Sequence, residues 1–160
     1  MSEVFEGLIC NNPIEEIRRE IRRKDLELQL IIEEFVDSSS IVYRNDTRAD
    51  ARFTTELDNL AVSLSILSGG DALLVRYDSR IGYRASILYV NGNPIESFDE
   101  SKELFVLLDE TGEPLLNSQL YTLDQLQPDE EYETGLNAIE LGLQRFGKGD
   151  WNHIKKVIGR

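Results

Sequence analysis

Few side chains in this 160-residue chain could carry chemistry, and their spacing argues against it. There is one histidine, His153, and one cysteine, Cys10, at opposite ends of the sequence. A lone imidazole cannot make a histidine-based metal site, and a Cys10–His153 dyad would have no local motif to build it. Ser68-Gly69-Gly70-Asp71 lacks the Lys-Ser/Thr of a phosphate-binding loop and follows a helical pattern where such a loop follows a strand. It reads as a helix-to-strand turn. Asp99, Glu100, Asp109 and Glu110 could in principle pair for acid–base work. They lie in turn-like strings, where carboxylates are ordinarily solvated. Arginines recur every four residues as Arg44, Arg48, Arg52 and as Arg76, Arg80, Arg84. The first trio would form a phosphate-sized patch on one helix face, neutralised by Asp46, Asp50, Glu56 and Asp58 nearby. The second brackets a hairpin, across which Arg76 and Arg84 would face each other. The expectation is a protein that is not an enzyme, with no catalytic residue, no metal and no cofactor.

Charge points instead to partners. The net charge is −13, and from Glu96 to Glu140 thirteen acids face a single base, Lys102. Such a stretch repels phosphate backbones and attracts basic proteins, more weakly as salt rises. The candidate protein-binding acidic face is Glu96, Asp99, Glu100, Glu103, Asp109, Glu110, Asp129, Glu130, Glu131 and Glu133. A single cysteine excludes an internal disulfide and fits a reducing compartment. No signal-peptide pattern opens the chain, and no run reaches the roughly 18 apolar residues of a membrane span. The expectation is a soluble, intracellular protein with no membrane partner.

These residues must be positioned by a core, and 41% hydrophobic content over this length can build one. Asn12-Pro13-Ile14-Glu15 predicts a helix start, with no breaker until about Val36. Ile14, Ile17, Ile21, Leu28, Ile31 and Phe35 fall on a heptad seam, with Lys24 its polar member. The seam predicts either packing on the domain or a homodimer. A second helix is expected over 49–67, closed by Gly69-Gly70. Strands follow at 72–77, 83–90, 94–98, 104–108 and 113–116, with Asn91-Gly92 a strong hairpin signal. Leu126-Gln127-Pro128-Asp129 is the expected boundary before the chain returns to helix.

The last thirty residues read as two helices, Glu130–Phe146 and a shorter one capped by Asp150, around Gly147-Lys148-Gly149. The string Phe146-Gly147-Lys148-Gly149-Asp150-Trp151-Asn152-His153-Ile154 resembles the first two helices of a Myb/SANT repeat. The resemblance implies a core of Ile139, Leu143, Phe146, Trp151 and Ile154. It makes Lys148, Lys155, Lys156 and Arg160 candidate nucleic-acid contacts. It covers two of the family's three helices, so contact with DNA or a histone is expected only through a completed repeat.

The predicted fold class is α+β: two N-terminal helices, an antiparallel four- to five-strand meander and a C-terminal helical hairpin. The predicted division is an interaction or assembly domain at 1–126 and an incomplete Myb/SANT-like segment at 129–160. Two functions follow. One is a nuclear chromatin- or DNA-associated factor in transcription regulation, whose N-terminal domain mediates protein–protein assembly. The other is a small acidic inhibitor or immunity-type protein that blocks the basic cleft of a partner such as a nuclease toxin.

Overall fold

The first element is a strand. A computed structural model describes residues 4–26, 30–44, 55–67, 70–100 and 137–159, together with the backbone of 104–107 and 121–122. Its elements are, in order, β1 (Val4–Cys10), α1 (Ile14–Arg23), β2 (Leu30–Glu34), β3 (Ser40–Arg44), α2 (Glu56–Ile66), β4 (Asp71–Asp78), β5 (Tyr83–Val90), β6 (Asn93–Asp99), β7 (Leu104–Leu107), β8 (Tyr121–Thr122), α3 (Ala138–Phe146) and α4 (Trp151–Ile158). The strands form one antiparallel sheet of order β2-β3-β1-β4-β5-β6-β7-β8. Strand β1 sits inside it, every residue buried, between β3 and β4.

The period-two alternation of the strands builds two cores. Phe5, Ile9, Ile41, Leu73, Val75 and Leu88 point to one face, where Ile139, Leu143, Phe146, Trp151, Ile154 and Val157 of α3 and α4 cover them. Leu8, Cys10, Val42, Ala72 and Leu74 point to the other, where α1 supplies Ile17 and Ile21 and α2 supplies Leu57, Leu60, Ala61 and Leu64. Each such valine, leucine, isoleucine or phenylalanine, fully buried, contributes roughly 1.5–3 kcal/mol from leaving water. The result is a helix–sheet–helix sandwich of three layers.

This α+β arrangement corrects the predicted order of two helices followed by a meander. The long first helix ends at Arg23, thirteen residues before the predicted Val36. Leu26 N–H donates to Ile21 O at 3.0 Å and Asp25 N–H to Arg22 O at 3.0 Å. With Asp25 at φ 59°, these two bonds make a Schellman stop, using aspartate where glycine is usual. Leu26 and Ile21 are both buried, completing the apolar contact of that motif. Beyond the stop, the seam residue Ile31 lies in β2 and Phe35 follows it, while Leu28 lies outside the described residues. Ile17 and Ile21 are buried against the domain itself, so the homodimer seam Ile14, Ile17, Ile21, Leu28, Ile31, Phe35 does not exist as one helical stripe. Pro13 occupies the N-cap position, and the Asn12 amide instead donates to Glu16 Oε1 at 2.7 Å and Leu64 O at 3.0 Å.

A two-residue hairpin joins β2 to β3. Asp37 at φ 49° and Ser38 at φ 67° are its central pair, and Ser39 N–H donates to Val36 O at 2.9 Å. Positive φ at both positions is the type I′ geometry that matches strand twist. Asn91 at φ 50° and Gly92 at φ 86° do the same between β5 and β6. Strands β4 to β7 lie where the sequence places the first four strands of its meander, while 113–116 lies outside the described residues. So do residues 49–54 of the predicted second helix, and the predicted boundary at 126–129.

Candidate binding surfaces

The C-terminal hairpin is built by caps. The Asn137 side chain accepts from Glu140 N–H at 2.9 Å, and Gly147 closes α3 in the left-handed region. Asp150 opens α4 by accepting from His153 N–H at 3.0 Å. The Trp151 N–H donates across the turn to Glu140 Oε1 at 2.8 Å, locking the two helices together. Burial is the main cause that pushes the Glu140 carboxyl above its ordinary pKa; the Trp151 N–H opposes it.

The five expected core residues, Ile139, Leu143, Phe146, Trp151 and Ile154, do come together, and all are buried. Their partners are strands. The Trp151 indole packs edge-on against Tyr77 of β4, centroids 5.6 Å apart, with the Arg84 guanidinium 5.9 Å from its ring. Helix α3 approaches β5 so closely that a Cβ on Gly142 would stand 2.6 Å from the Ser86 Cβ. Ser86 Oγ–H donates to Ala138 O at 2.7 Å at the same contact. Helices α3 and α4 thus share the sheet's core. Of the candidate nucleic-acid contacts, Lys155 and Lys156 are exposed on α4, whereas Lys148 Nζ donates to Asp37 O at 2.6 Å. Arg160 lies outside the described residues.

The described part of the acidic face is used inside the domain. Glu96 is buried and takes Arg145 Nε at 2.7 Å. Glu100 takes Arg84 Nη2 at 3.0 Å through one oxygen and the Ala138 N–H at 2.8 Å through the other, so it also tethers the start of α3. Asp99 accepts from the Tyr83 hydroxyl at 3.2 Å. Glu103, Asp109, Glu110, Asp129, Glu130, Glu131 and Glu133 lie outside the described residues.

Sequence reasoning missed the densest charge cluster. On the α1–α2 face, Glu6 of β1 has no exposed side-chain surface and accepts from Arg76 Nε at 2.7 Å, with Arg44 at 3.6 Å. Arg76 Nη2 also meets Asp58 of α2 at 2.6 Å, and Asp58 accepts from the Tyr89 hydroxyl at 2.9 Å. These carboxylates occupy both arginines, which closes the patch expected of Arg44; Arg48 and Arg52 lie outside the described residues. Arg84 pairs in register with Tyr77, on the opposite face from Arg76, so these two arginines do not face each other. The missed signal was available: Glu6 and Arg76 are single charges of opposite sign inside the apolar runs Val4–Cys10 and Ala72–Tyr77.

The two members of the candidate dyad lie on opposite sides of the sheet. Cys10 is fully buried on the α1–α2 face, and burial pushes its thiol up to about 12, far from thiolate reactivity. His153 belongs to α4 on the other side of the sheet, against the Phe35 ring, so no Cys10–His153 dyad forms. Among the described residues no three metal-ligating side chains gather into a possible ion site. No described helix is long and apolar enough to cross a membrane. The described residues include two open grooves. One, of about 470 Å³, is lined by polar groups including Asn11, Asn12, Asp37 and Ser38. The other, of about 500 Å³, lies between α1 and β2 under Arg18 and Arg22. Compared with known proteins, the chain matches no family model, no curated protein and no solved structure.

Proposed function

We propose that this protein acts by binding a basic protein and performs no catalysis, in the manner of a small acidic inhibitor or immunity-type protein that covers a cationic cleft. One observation carries the reading: the charge is segregated. Of the thirteen acids from Glu96 to Glu140, the four that are described have partners within the domain. The other nine, between residues 101 and 136, stand against Lys102 alone. Arg44, Arg76, Arg80, Arg84 and Arg145 are each engaged by the domain's own carboxylates. They therefore do little to neutralise that stretch. A field of this sign steers cationic partners and weakens as salt screens it. Titration calorimetry against a panel of cationic nucleases, at several salt concentrations, tests it. Binding should be lost progressively with salt and fall about tenfold or more when Asp109, Glu110, Asp129, Glu130 and Glu131 become amides. Equal binding by the amide variant would remove the reading.

A second reading keeps the Myb/SANT-like hairpin as a contact to DNA or chromatin in the nucleus, drawing on exposed Lys155 and Lys156. The spacing of Phe146, Trp151 and Ile154 is, however, accounted for by packing on the sheet. Duplex DNA shifted by the full chain, and not by K155A/K156A, would favour this reading over the first.

A further inference from the structure

Helix α1 of this acidic protein presents a cationic face, and it borders a sheet edge that no described strand pairs with. Arg18, Arg19, Arg22 and Arg23 are exposed along α1 in a chain of net charge −13. Glu20 holds Arg23 at 2.7 Å. Arg18 meets Glu15 only at 3.6 Å, with both side chains more than half exposed, a pairing of little strength. Arg22 has no acidic partner among the described residues. Beneath Arg18 and Arg22 lies the groove of about 500 Å³, floored by Ile21, Leu30 and Ile32. Strand β2 ends the sheet, and among the described residues no strand pairs with its outer side. An edge strand presents a row of N–H and C=O groups ready for another strand.

We infer that this edge binds an extended peptide with carboxylates at alternate positions, added as a ninth strand beside β2. Side chains of an added strand alternate between faces. One set lies over the groove, where aliphatic stems meet Ile21, Leu30 and Ile32 and carboxylates reach Arg18 and Arg22. The other set meets Ile31, which is half-buried on the α3–α4 side. Charge selects this occupant over a second copy of the chain, which would bring one net −13 field against another. The ladder, unpaired among the described residues, and the apolar floor select a peptide over a nucleic acid, which would use only the arginines. This inference stands apart from the basic-client reading, since it concerns the opposite charge at the opposite edge from β7 and β8.

Fluorescence anisotropy of a labelled octapeptide of alternating Glu and Val, titrated with the full chain, tests it. The expected result is saturable binding, about tenfold weaker for R18E/R22E, which alters only exposed side chains and whose fold circular dichroism verifies. Methylating the backbone nitrogens of one alternate set should abolish binding, and methylating the other set should not, because only one set faces the ladder. No binding would overturn the inference, as would equal binding of a Lys/Val peptide or tolerance of both methylation patterns. Equal binding of a labelled DNA duplex would show a simple polyanion site instead. Dimerisation of the protein alone that R18E/R22E abolishes would give the edge to a second copy.

Discussion

The two faces of the sheet are held by different physics. Under α1 and α2 the apolar core is interrupted by ions, with Glu6 between Arg76 and Arg44 and Asp58 joining Arg76 to Tyr89. Under α3 and α4 an apolar cluster reaches Trp151, and the carboxylates of its ion pairs, Arg84–Glu100 and Arg145–Glu96, are less fully enclosed than Glu6. Neither arrangement is the cheaper one. Buried charges gain little net energy over apolar replacements, but removing one partner strands the other. Close packing has no such all-or-none partner, and it tolerates error only as far as neighbours can shift. The first face is therefore specified by charge pairing and the second by shape.

Four substitutions can break or sharpen that contrast. Glu6→Ala should have the largest effect, a loss of about 4 kcal/mol in urea unfolding, because Arg76 and Arg44 both lose the buried carboxylate they share. Trp151→Ala should cost about 3 kcal/mol. If the hairpin is part of the sheet's core, the single transition should move as a whole when followed by both helical and sheet signals. Two separated transitions would mean that the hairpin folds by itself. Gly142→Ala should cost about 2 kcal/mol, since its methyl meets the Ser86 side chain, and Ser86→Gly in the same chain should recover part of the loss. Glu140→Gln is the smallest change and tests pH. Burial raises the folded pKa of Glu140, so its ionisation costs stability that is fully present below the unfolded carboxyl pKa and is lost as pH rises through the folded one. The glutamine variant should therefore melt higher than the parent at neutral pH, with the gain vanishing below the ordinary carboxylate range in scanning calorimetry.

What the sequence revealed depended on how local the deciding physics was. Asn91-Gly92 announces its turn because both residues accept positive φ. Asp37-Ser38 makes the same turn from residues that fit many conformations, so nothing marks it in advance. The run from Pro13 looked like one long helix because its stop uses Asp25 in place of glycine and Ile31 and Phe35 happen to extend the heptad spacing. Gly147 and the cap at Asp150 made the junction of the last two helices legible, whereas the cap at Asn137 lies inside the helix expected from Glu130. Their destination was not, since Tyr77 and Ser86 are brought to Trp151 and Gly142 only by the sheet. The acidic residues showed the same divide. Their number is plain from composition, while the spending of Glu96 and Glu100 on Arg145 and Arg84 is a tertiary fact.

The position of β1 has a consequence for synthesis. Its two neighbours, β3 and β4, are encoded downstream, and the helices that cover its Phe5 and Ile9 follow all the described strands. On the ribosome the Phe5 and Ile9 side of this segment stays uncovered until α3 and α4 have emerged, and the long loops it closes slow its docking.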